Sequence, residues 1–169
     1  PLGFEVIKDM RLQAKPFDAQ IFAQFGDVIC ARQTPDKMIN QGKCARYHNL
    51  AKLDFVGDGR AGISLFDAEP RALPYRLEMM ERHPLGSQAF LPLHEHPFLV
   101  VVAEDDNGQP SNVQAFITPP SVGVNYHCNI WHGVLTPLEA PGLFAVVDRI
   151  GNDKNLEEFW FDEDMVIEK

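Results

Sequence analysis

The spacing of apolar residues along the chain is what most restricts its fold. Short apolar runs such as YRLEMM, FLVVVA and LFAVV follow one another, and turn-forming stretches such as DDNG at 105–108 and PPS at 119–121 separate them. Short runs bounded by Gly, Pro, Asn and Asp are typical of β-strands. Because no helical segments alternate with these runs, the pattern predicts an all-β sandwich or closed barrel. No repeat, linker or low-complexity block interrupts the sequence, so we predict one domain over residues 1–169.

One segment near the N terminus, KPFDAQIFAQFG, has a helical pattern instead. Asp18 is a residue type that caps helix N termini, and Phe22 and Phe25 recur at helical spacing. Gly26 is a typical helix terminator. We therefore predict a helix of about two turns beginning at Ala19.

The acidic C-terminal stretch, NLEEFWFDEDMVIEK, contains three consecutive aromatic residues at 159–161. We predict a capping segment packed against the domain by these rings. Because aromatic residues are also enriched at interfaces, the same segment could cover a subunit partner.

Two distant segments, ERHPLGSQAF and GVNYHCNIWH, concentrate the side chains suited to chemistry. At the period of a strand, Glu81 and His83 share one face, as do Asn125 and His127, and His132 comes from a separate strand. Carboxylate and imidazole groups meeting in a barrel mouth suit either a divalent metal or general acid–base catalysis. The structural alternative is that Glu81 pairs with Arg82 or another surface base and His83 is a hydrogen-bonded core histidine.

Several other polar residues have more than one interpretation. His127 either lines the pocket or forms hydrogen bonds within the barrel wall. The HEH motif at 94–96 lies between two apolar runs, so we predict a solvated turn there rather than a metal site. Asp148 and Arg149 follow an apolar strand and point to opposite faces, so at most one faces the pocket. An ion pair within the core is their structural alternative.

Arg46 and Cys128 carry side chains suited to substrate binding and to nucleophilic attack, respectively. The guanidinium of Arg46 is suited to hold a substrate carboxylate, because its planar fork binds carboxylates in bidentate fashion. Cys128 is adjacent to His127, but neighbouring side chains of a strand point apart. We therefore predict no Cys–His nucleophile.

Composition limits the partners and the compartment. A net charge of −9 argues against non-specific binding to nucleic acid. No apolar run is long enough to span a bilayer, and the N-terminal PLGFEV lacks a secretory layout. The three cysteines form no CxxC pair or zinc motif, which is typical of a reducing compartment. These features predict a cytoplasmic protein.

Taken in order, the segments FAQFGDVI, INQG, RYHNL, ERHPLGSQAFLPL, FLVVVA, QAFIT, GVNYHCNIWHGVL and VVDRIG resemble the ureidoglycolate lyase family. The match covers about Phe17 to Gly151. The resemblance implies a cupin-like β-barrel, also described as a double-stranded β-helix, and a homodimer. It also implies cleavage of ureidoglycolate to glyoxylate and urea, a step of allantoin and purine degradation.

The resemblance also implies roles for individual residues. In the general cupin pattern, Glu81, His83, Gln88 and His132 fall at metal-ligand positions, although two of the four differ in type from the usual set. No cofactor is required by the sequence itself, but a loosely bound divalent cation fits these positions, with nickel described for some members. Gly133 stands where relatives carry a second histidine after WH, so any role of that histidine is absent here.

The chemistry of the substrate suggests how the roles divide. We predict His83 or His132 as the base and Glu81 as its orienting or acid partner. Arg46 or Arg149 would hold the substrate carboxylate. The remaining predicted substrate-binding residues are Gln88, Asn125, Tyr126, His127 and Asp148.

Two other functions are compatible with the sequence. An amidohydrolase acting on the same substrate would release ammonia instead of urea. A non-catalytic barrel would bind small acids without turnover, because a barrel fold does not determine function.

Overall fold

The computed structural model describes residues 10–169, so the predictions about the N-terminal PLGFEV lie outside the described residues. Among these residues, no helix combines the length and the apolar character needed to cross a bilayer. The described elements are β1 (Met10–Gln13), β2 (Lys15–Pro16), α1 (Ala19–Phe22), β3 (Gly26–Ile29), β4 (Lys37–Ile39), β5 (Cys44–Arg46), β6 (Arg60–Asp67), β7 (Tyr75–Arg82), β8 (Gln88–Pro92), β9 (Phe98–Asp106), β10 (Gln109–Ile117), β11 (Gly123–Tyr126), β12 (Trp131–His132), β13 (Thr136–Pro137), β14 (Leu143–Ile150) and β15 (Glu157–Glu168).

Two large sheets build a nearly closed barrel. The eight-stranded sheet has the order β1-β15-β7-β12-β9-β10-β2, with β13 paired to β9, and the five-stranded sheet has the order β3-β11-β8-β14-β6. A separate hairpin pairs β4 with β5. Most pairs are antiparallel; β1 with β15 and β10 with β2 are parallel. The predicted cupin-like all-β fold with one short helix is therefore confirmed.

Alternation along the strands creates two hydrophobic clusters. The first fills the space between the two large sheets, and the second covers the other face of the eight-stranded sheet. On β9, Val100 and Val102 enter the first cluster, whereas Val101 and Ala103 enter the second. Because the sheet is covered on both faces, β9 is a continuous apolar run instead of an alternating one. The first cluster forms the floor of the candidate site.

The N-terminal helix is shorter than predicted. Asp18 caps it as expected, accepting hydrogen bonds from the amides of Gln20 and Ile21, but the helix ends at Phe22. Gly26 begins β3 and lies so close to the Asn125 carbonyl that a side chain would overlap it. The glycine is thus needed for close packing of two strands, and the prediction of two full turns was wrong.

The C-terminal stretch is a full strand of the barrel, which the prediction of a capping segment missed. β15 pairs with β7 on one side and with β1 on the other. Phe159 and Phe161 pack on the second cluster, while Trp160 between them is 61% exposed. Strand alternation therefore explains the aromatic triplet.

Candidate active site

Three ligand-type side chains converge where β7 and β12 meet. Glu81 lies near the end of β7, and its partner across the ladder is His132 of β12. His83 follows two residues after Glu81, just beyond the strand. One ligand atom from each of the three lies within 4.8 Å of the others. The sharing of one face predicted for Glu81 and His83 thus produces a compact carboxylate–imidazole cluster.

The outward neighbour of Glu81 is fully engaged elsewhere. Arg82 binds Glu157 at 2.6 Å and Asp105 at 2.8 Å, and its guanidinium stacks over Trp131 at 4.3 Å. The structural alternative in which Glu81 pairs with Arg82 is therefore wrong.

His132 is a buried, neutral imidazole. Its ring lies parallel to that of Tyr126, with 4.3 Å between the centroids. Burial and, second, the nearby His83 lower the pKa of His132 to about 3. Its Nδ1 is 2.9 Å from the Gly133 carbonyl oxygen, which can only accept, so Nδ1 carries the proton. The Nε2 lone pair has no hydrogen-bond partner within residues 10–169.

His83 has the same arrangement. Its Nδ1 is 2.8 Å from the carbonyl oxygen of Asn155, which again requires the proton on Nδ1. Its Nε2 is 4.0 Å from Glu81 Oε1 and is likewise buried without a hydrogen-bond partner in the described chain. The two imidazole centroids are 5.3 Å apart. Both histidines therefore present an Nε2 lone pair toward the same small space.

Glu81 is half-buried beside these rings. Burial raises the pKa of Glu81; the charge of His83 opposes that rise, and Glu158 adds to it. A carboxyl group with a raised pKa exchanges protons closer to neutral pH, as a general acid or base requires. The same surroundings disfavour the anion of Tyr126, whose pKa is raised by burial and then by the Glu81 charge.

These three residues also fit a divalent metal ion. Metal-ligating histidines usually donate their second ring N–H to a carbonyl or carboxylate, as His83 and His132 do here. Two imidazoles and one carboxylate suit first-row transition ions such as iron, nickel and zinc. The unpaired Nε2 atoms and the inward carboxylate of Glu81 therefore form a possible metal-binding triad.

Gln88 lies next to this cluster on β8. It is opposite Tyr126 in the β8–β11 ladder, and Tyr126 stacks on His132. The side-chain Nε2 of Gln88 donates to Asp148 Oδ2 at 3.2 Å, and Oε1 is buried without a hydrogen-bond partner among the residues described. Since Asp148 can only accept when ionised, this bond orients the amide. Gln88 therefore has a free carbonyl oxygen in the barrel interior.

Arg149 points away from Asp148, as the strand period predicted. Its side chain is only 1% exposed, and Nε donates to the Val56 carbonyl at 2.9 Å. Nη2 binds Asp153 at 2.9 Å. The guanidinium is thus held by protein groups on the outer side of β14. The ion pair of Arg149 is therefore with Asp153, whose side chain is 66% exposed, and not the pair within the core that was the structural alternative.

Asn125 and His127 share a face, as predicted, but it is the face opposite Tyr126. Asn125 Nδ2 donates to Asp27 Oδ2 at 3.0 Å, and His127 Nε2 is 3.1 Å from the same oxygen. Burial would raise the pKa of Asp27, but hydrogen bonds from Asn125 and the Lys52 amide, with His127, bring it below its usual value. Both predicted binding residues therefore form part of the barrel wall.

Arg46 is separate from the cluster. It ends β5 in the two-stranded sheet, and its Nη2 lies 2.9 Å from His48 Nδ1. Its side chain is exposed, and none of its described hydrogen bonds reaches Glu81, His83 or His132.

Cys128 has no activated thiol. Its Sγ lies 3.0 Å from the Pro84 carbonyl oxygen, and burial followed by the charge of Asp54 raises its pKa. A raised pKa disfavours the nucleophilic thiolate. The prediction that Cys128 and His127 form no catalytic pair agrees with these contacts.

The HEH motif forms the predicted connection between β8 and β9, but it is not fully solvated. His94 and His96 are half-buried with their rings stacked, and His96 Nδ1 is 3.1 Å from Glu139. His94 also packs against Phe144. The turn was predicted correctly, whereas its solvation was overestimated.

Sequence inspection missed the two groups that orient the histidines. The Gly133 carbonyl is a backbone group, so a pattern of side chains cannot indicate it. Asn155 lies beyond Gly151, where the family resemblance ends. The only available signal was the cluster of turn-forming residues at 151–155, and it does not indicate contact with His83.

A nearly closed β-barrel with two histidines and a carboxylate in its interior defines the protein as a cupin-like barrel with an enzyme-type site. Comparison with known proteins is more specific. The family model described as ureidoglycolate lyase matches residues 9–168. The chain belongs to the ureidoglycolate lyase family.

Individual relatives agree with this assignment. A ureidoglycolate lyase of Rhodobacter capsulatus is 58% identical over 149 residues, which cover 88% of this chain and 92% of the relative. A ureidoglycolate lyase of a Chelativorans species is 49% identical, covering 90% of this chain and 93% of the relative. The protein named ureidoglycolate lyase 2 of Rhizobium meliloti is 48% identical, covering 93% and 97%.

Proposed function

We propose that this protein is an enzyme that cleaves ureidoglycolate to glyoxylate and urea. The observation that carries the proposal is the Glu81–His83–His132 cluster, inside a chain that belongs to the ureidoglycolate lyase family. The names of the relatives favour this reaction over an amidohydrolase or a non-catalytic binding barrel.

The reaction is an elimination at a hemiaminal carbon, which bears a hydroxyl, a carboxylate and a ureido nitrogen. A base removes the hydroxyl proton, and the oxygen electrons form the carbonyl of glyoxylate. The C–N bond breaks with its electron pair moving to nitrogen, which an acid protonates to give urea. No water is consumed, so one base and one acid are sufficient. Each typically contributes about 10²- to 10⁴-fold.

We assign the base to one of the two histidines and the acid or orienting role to Glu81. Both His83 and His132 have an unprotonated Nε2 directed into the cluster. The lowered pKa of His132 makes its imidazole a weak base, which favours His83 as the proton acceptor. Glu81, with a raised pKa and 4.0 Å from His83 Nε2, can then supply a proton.

A divalent cation is the proposed cofactor, with nickel suggested by the family resemblance. Glu81, His83 and His132 would hold it as an alternative to their acid–base roles, with Gln88 Oε1 as a further oxygen near the cluster. When bound, such an ion would polarise the hydroxyl and carboxylate oxygens of the substrate. The orphaned Nε2 atoms support this proposal.

Substrate recognition is proposed for the polar groups of the barrel interior. Gln88, oriented by Asp148, would hydrogen-bond the ureido group, and Tyr126 would border it. For the substrate carboxylate, Arg46 has an exposed guanidinium, but none of its described hydrogen bonds reaches the cluster, and Arg149 is enclosed. Asn125 and His127 would affect substrate binding indirectly, by fixing the barrel wall through their contacts with Asp27.

The decisive experiment is an assay of all three products. Purified protein is incubated with ureidoglycolate, and glyoxylate, urea and ammonia are measured separately, with and without chelator. Equal glyoxylate and urea without ammonia supports the lyase, and sensitivity to chelator supports the cation. Ammonia as the main product indicates the amidohydrolase, and binding without turnover indicates a non-catalytic barrel.

Variants test the residue roles in the same assay. His83→Ala and His132→Ala are both expected to lower kcat by about 10²-fold or more, since each removes one of the two imidazoles that form the proposed site. Near-wild-type turnover in both folded variants would refute the assignment. Arg46→Gln is expected to raise KM about tenfold if Arg46 binds the carboxylate.

We further propose a cytoplasmic homodimer acting in allantoin degradation. The free thiols of Cys30, Cys44 and Cys128 are compatible with a reducing compartment. On the outer face of the five-stranded sheet, Ile63 and Leu65 are 78% and 65% exposed. An exposed apolar sheet face of this kind suits contact with a second copy of the chain.

A further inference from the structure

The connection between β14 and β15, residues 151–156, reaches the candidate active site through one residue. The Asn155 carbonyl accepts the Nδ1 proton of His83 at 2.8 Å. Its side-chain Oδ1 accepts from the Leu85 amide at 2.7 Å. Asn155 therefore holds both the imidazole and the backbone two residues after it.

His83 needs such support because it lies outside the strand ladder. β7 ends at Arg82, so His83 is on the turn that leads to β8. The Asn129 amide binds the His83 carbonyl at 2.9 Å, which orients the backbone but not the ring. The contact with Asn155 is what selects the tautomer, because a carbonyl oxygen cannot donate a proton. With Nδ1 protonated, the Nε2 lone pair is directed toward Glu81.

The 151–156 segment is in turn attached to the barrel by Arg149. The guanidinium binds Asp153 at 2.9 Å and the Val56 carbonyl at 2.9 Å. Its side chain is enclosed by glycines: a Cβ added at Gly151 would lie 2.5 Å from Nη1, and one added at Gly86 would lie 2.8 Å from the Arg149 Cβ. These contacts give the guanidinium a structural use that excludes the substrate carboxylate.

We propose that Asn155 is a positioning residue for His83, and that Arg149 and Asp153 hold the segment that carries it. Loss of the Asn155 side chain frees the Leu85 amide and loosens the segment, so that the carbonyl no longer keeps the His83 ring in place. The ring can then rotate or change tautomer, which places a proton where the lone pair is needed. The catalytic consequence rests on the proposed function; the tautomer consequence does not.

The test compares Asn155→Ala with two matched variants. Asn155→Asp keeps an oxygen that can accept from the Leu85 amide, and Asn152→Ala removes an exposed asparagine of the same segment. Histidine ¹⁵N NMR of the metal-free proteins at one alkaline pH reports the tautomer of His83. We expect the Nδ1-protonated form in the wild type, the aspartate variant and Asn152→Ala, and a clear fraction of the Nε2-protonated form in Asn155→Ala.

Kinetics provide the second readout. A residue that accepts a hydrogen bond from the second ring nitrogen of a site histidine typically contributes about 10- to 100-fold to activity. Asn155→Ala is therefore expected to lower kcat by about tenfold with little change in KM, and Asn155→Asp to restore most of it. If the alanine variant does not fold, Asn155→Gln, which shifts the amide by one methylene, is measured in the same way.

The outcomes separate the two proposals. An unchanged tautomer and unchanged kcat in folded Asn155→Ala would overturn the positioning role even if the wild type is an active lyase. A wild type without turnover would overturn the proposed function, while the NMR comparison would still decide the role of Asn155.

Discussion

At the scale of single residues, burial determines the chemical state of His132. The imidazole is 1% exposed, lies flat on Tyr126, and is kept neutral by its burial and, second, by the nearby His83. Because the neutral ring donates its Nδ1 proton to the Gly133 carbonyl, its Nε2 keeps a lone pair that can accept a hydrogen bond or bind a metal ion. The property that makes His132 useful in the site is therefore a consequence of its position in the core.

The lowered pKa of His132 predicts a pH dependence of stability. Between about pH 3 and the unfolded value of about 6.5, the unfolded chain binds a proton that the folded protein does not. The free energy of unfolding therefore falls as the pH drops through this window, by about 1.4 kcal/mol per pH unit at most. Stability above the window is unaffected by this group.

Urea unfolding of the wild type and His132→Gln at several pH values checks this. Glu81 has a raised pKa and acts in the opposite direction, so the difference between the two proteins isolates the histidine. We expect the wild type to lose more stability than the variant on acidification. Parallel pH profiles would show that His132 is not buried in the neutral form.

The pair Gln88–Asp148 supports a second prediction. Gln88→Glu would place a carboxylate next to Asp148, where the amide now donates at 3.2 Å. We expect the free energy of unfolding to fall by about 1–3 kcal/mol, because two like charges, one buried and one half-buried, replace a hydrogen bond. In the double variant Gln88→Glu/Asp148→Asn the new amide can donate, so most of the stability should return. A single variant as stable as the wild type would contradict the interior placement of this pair.

At the scale of secondary-structure elements, short strands carry the site. β12 contains only Trp131 and His132, yet its insertion between β7 and β9 directs the tryptophan to the outer cluster and the histidine to the interior. Because neighbours on a strand point to opposite faces, two residues are enough to serve both. The site is thus built on the rigid ladder, with His83 just beyond its edge.

β15 is expected to contribute strongly to stability. Ile167 on this strand is fully buried in the second cluster, so Ile167→Ala should lower the free energy of unfolding by about 2–4 kcal/mol. Ile21→Ala, at a residue that is 39% exposed, should cost less than about 1 kcal/mol. Chemical denaturation of both variants measures the difference. Equal losses would mean that the C-terminal strand is not integral to the barrel.

At the scale of the whole molecule, the outer face of the five-stranded sheet presents exposed apolar side chains among the described residues. Ile63 and Leu65 of β6 are opposite Val147 and Ala145 of β14, which gives a continuous apolar patch. Larger patches of this kind on soluble proteins mark interaction sites.

Charge introduced on this patch tests the proposed homodimer. Ile63→Lys with Leu65→Lys is expected to convert a dimer to a monomer in sedimentation or light-scattering measurements, because desolvated like charges would meet at the interface. Leu53→Lys, at a leucine that is 45% exposed elsewhere, should leave the mass unchanged. A dimer that persists in the double variant would place the interface on another surface.

Much of the fold was predictable because it depends on local rules. The period of two along YRLEMMER and LFAVVDRI, with turn residues between the runs, was sufficient to locate the main strands. It also placed Glu81 beside His83 and put Asp148 opposite to Arg149. The family segments then identified the barrel type, which local pattern alone left open between sandwich and barrel.

What the linear pattern could not provide were contacts between distant segments. Alternation placed Asn125 and His127 on one face, but only the register of β11 against β3 and β8 decided that the interior lies on the other face, with Tyr126. The positions of Arg149 and Asn155 depend in the same way on how the 151–156 segment returns over the end of β7. The sequence thus determined the strands and the chemical types in the site. The tertiary structure decided which of those groups lose their water and meet, because burial and long-range contact are properties of the packed chain.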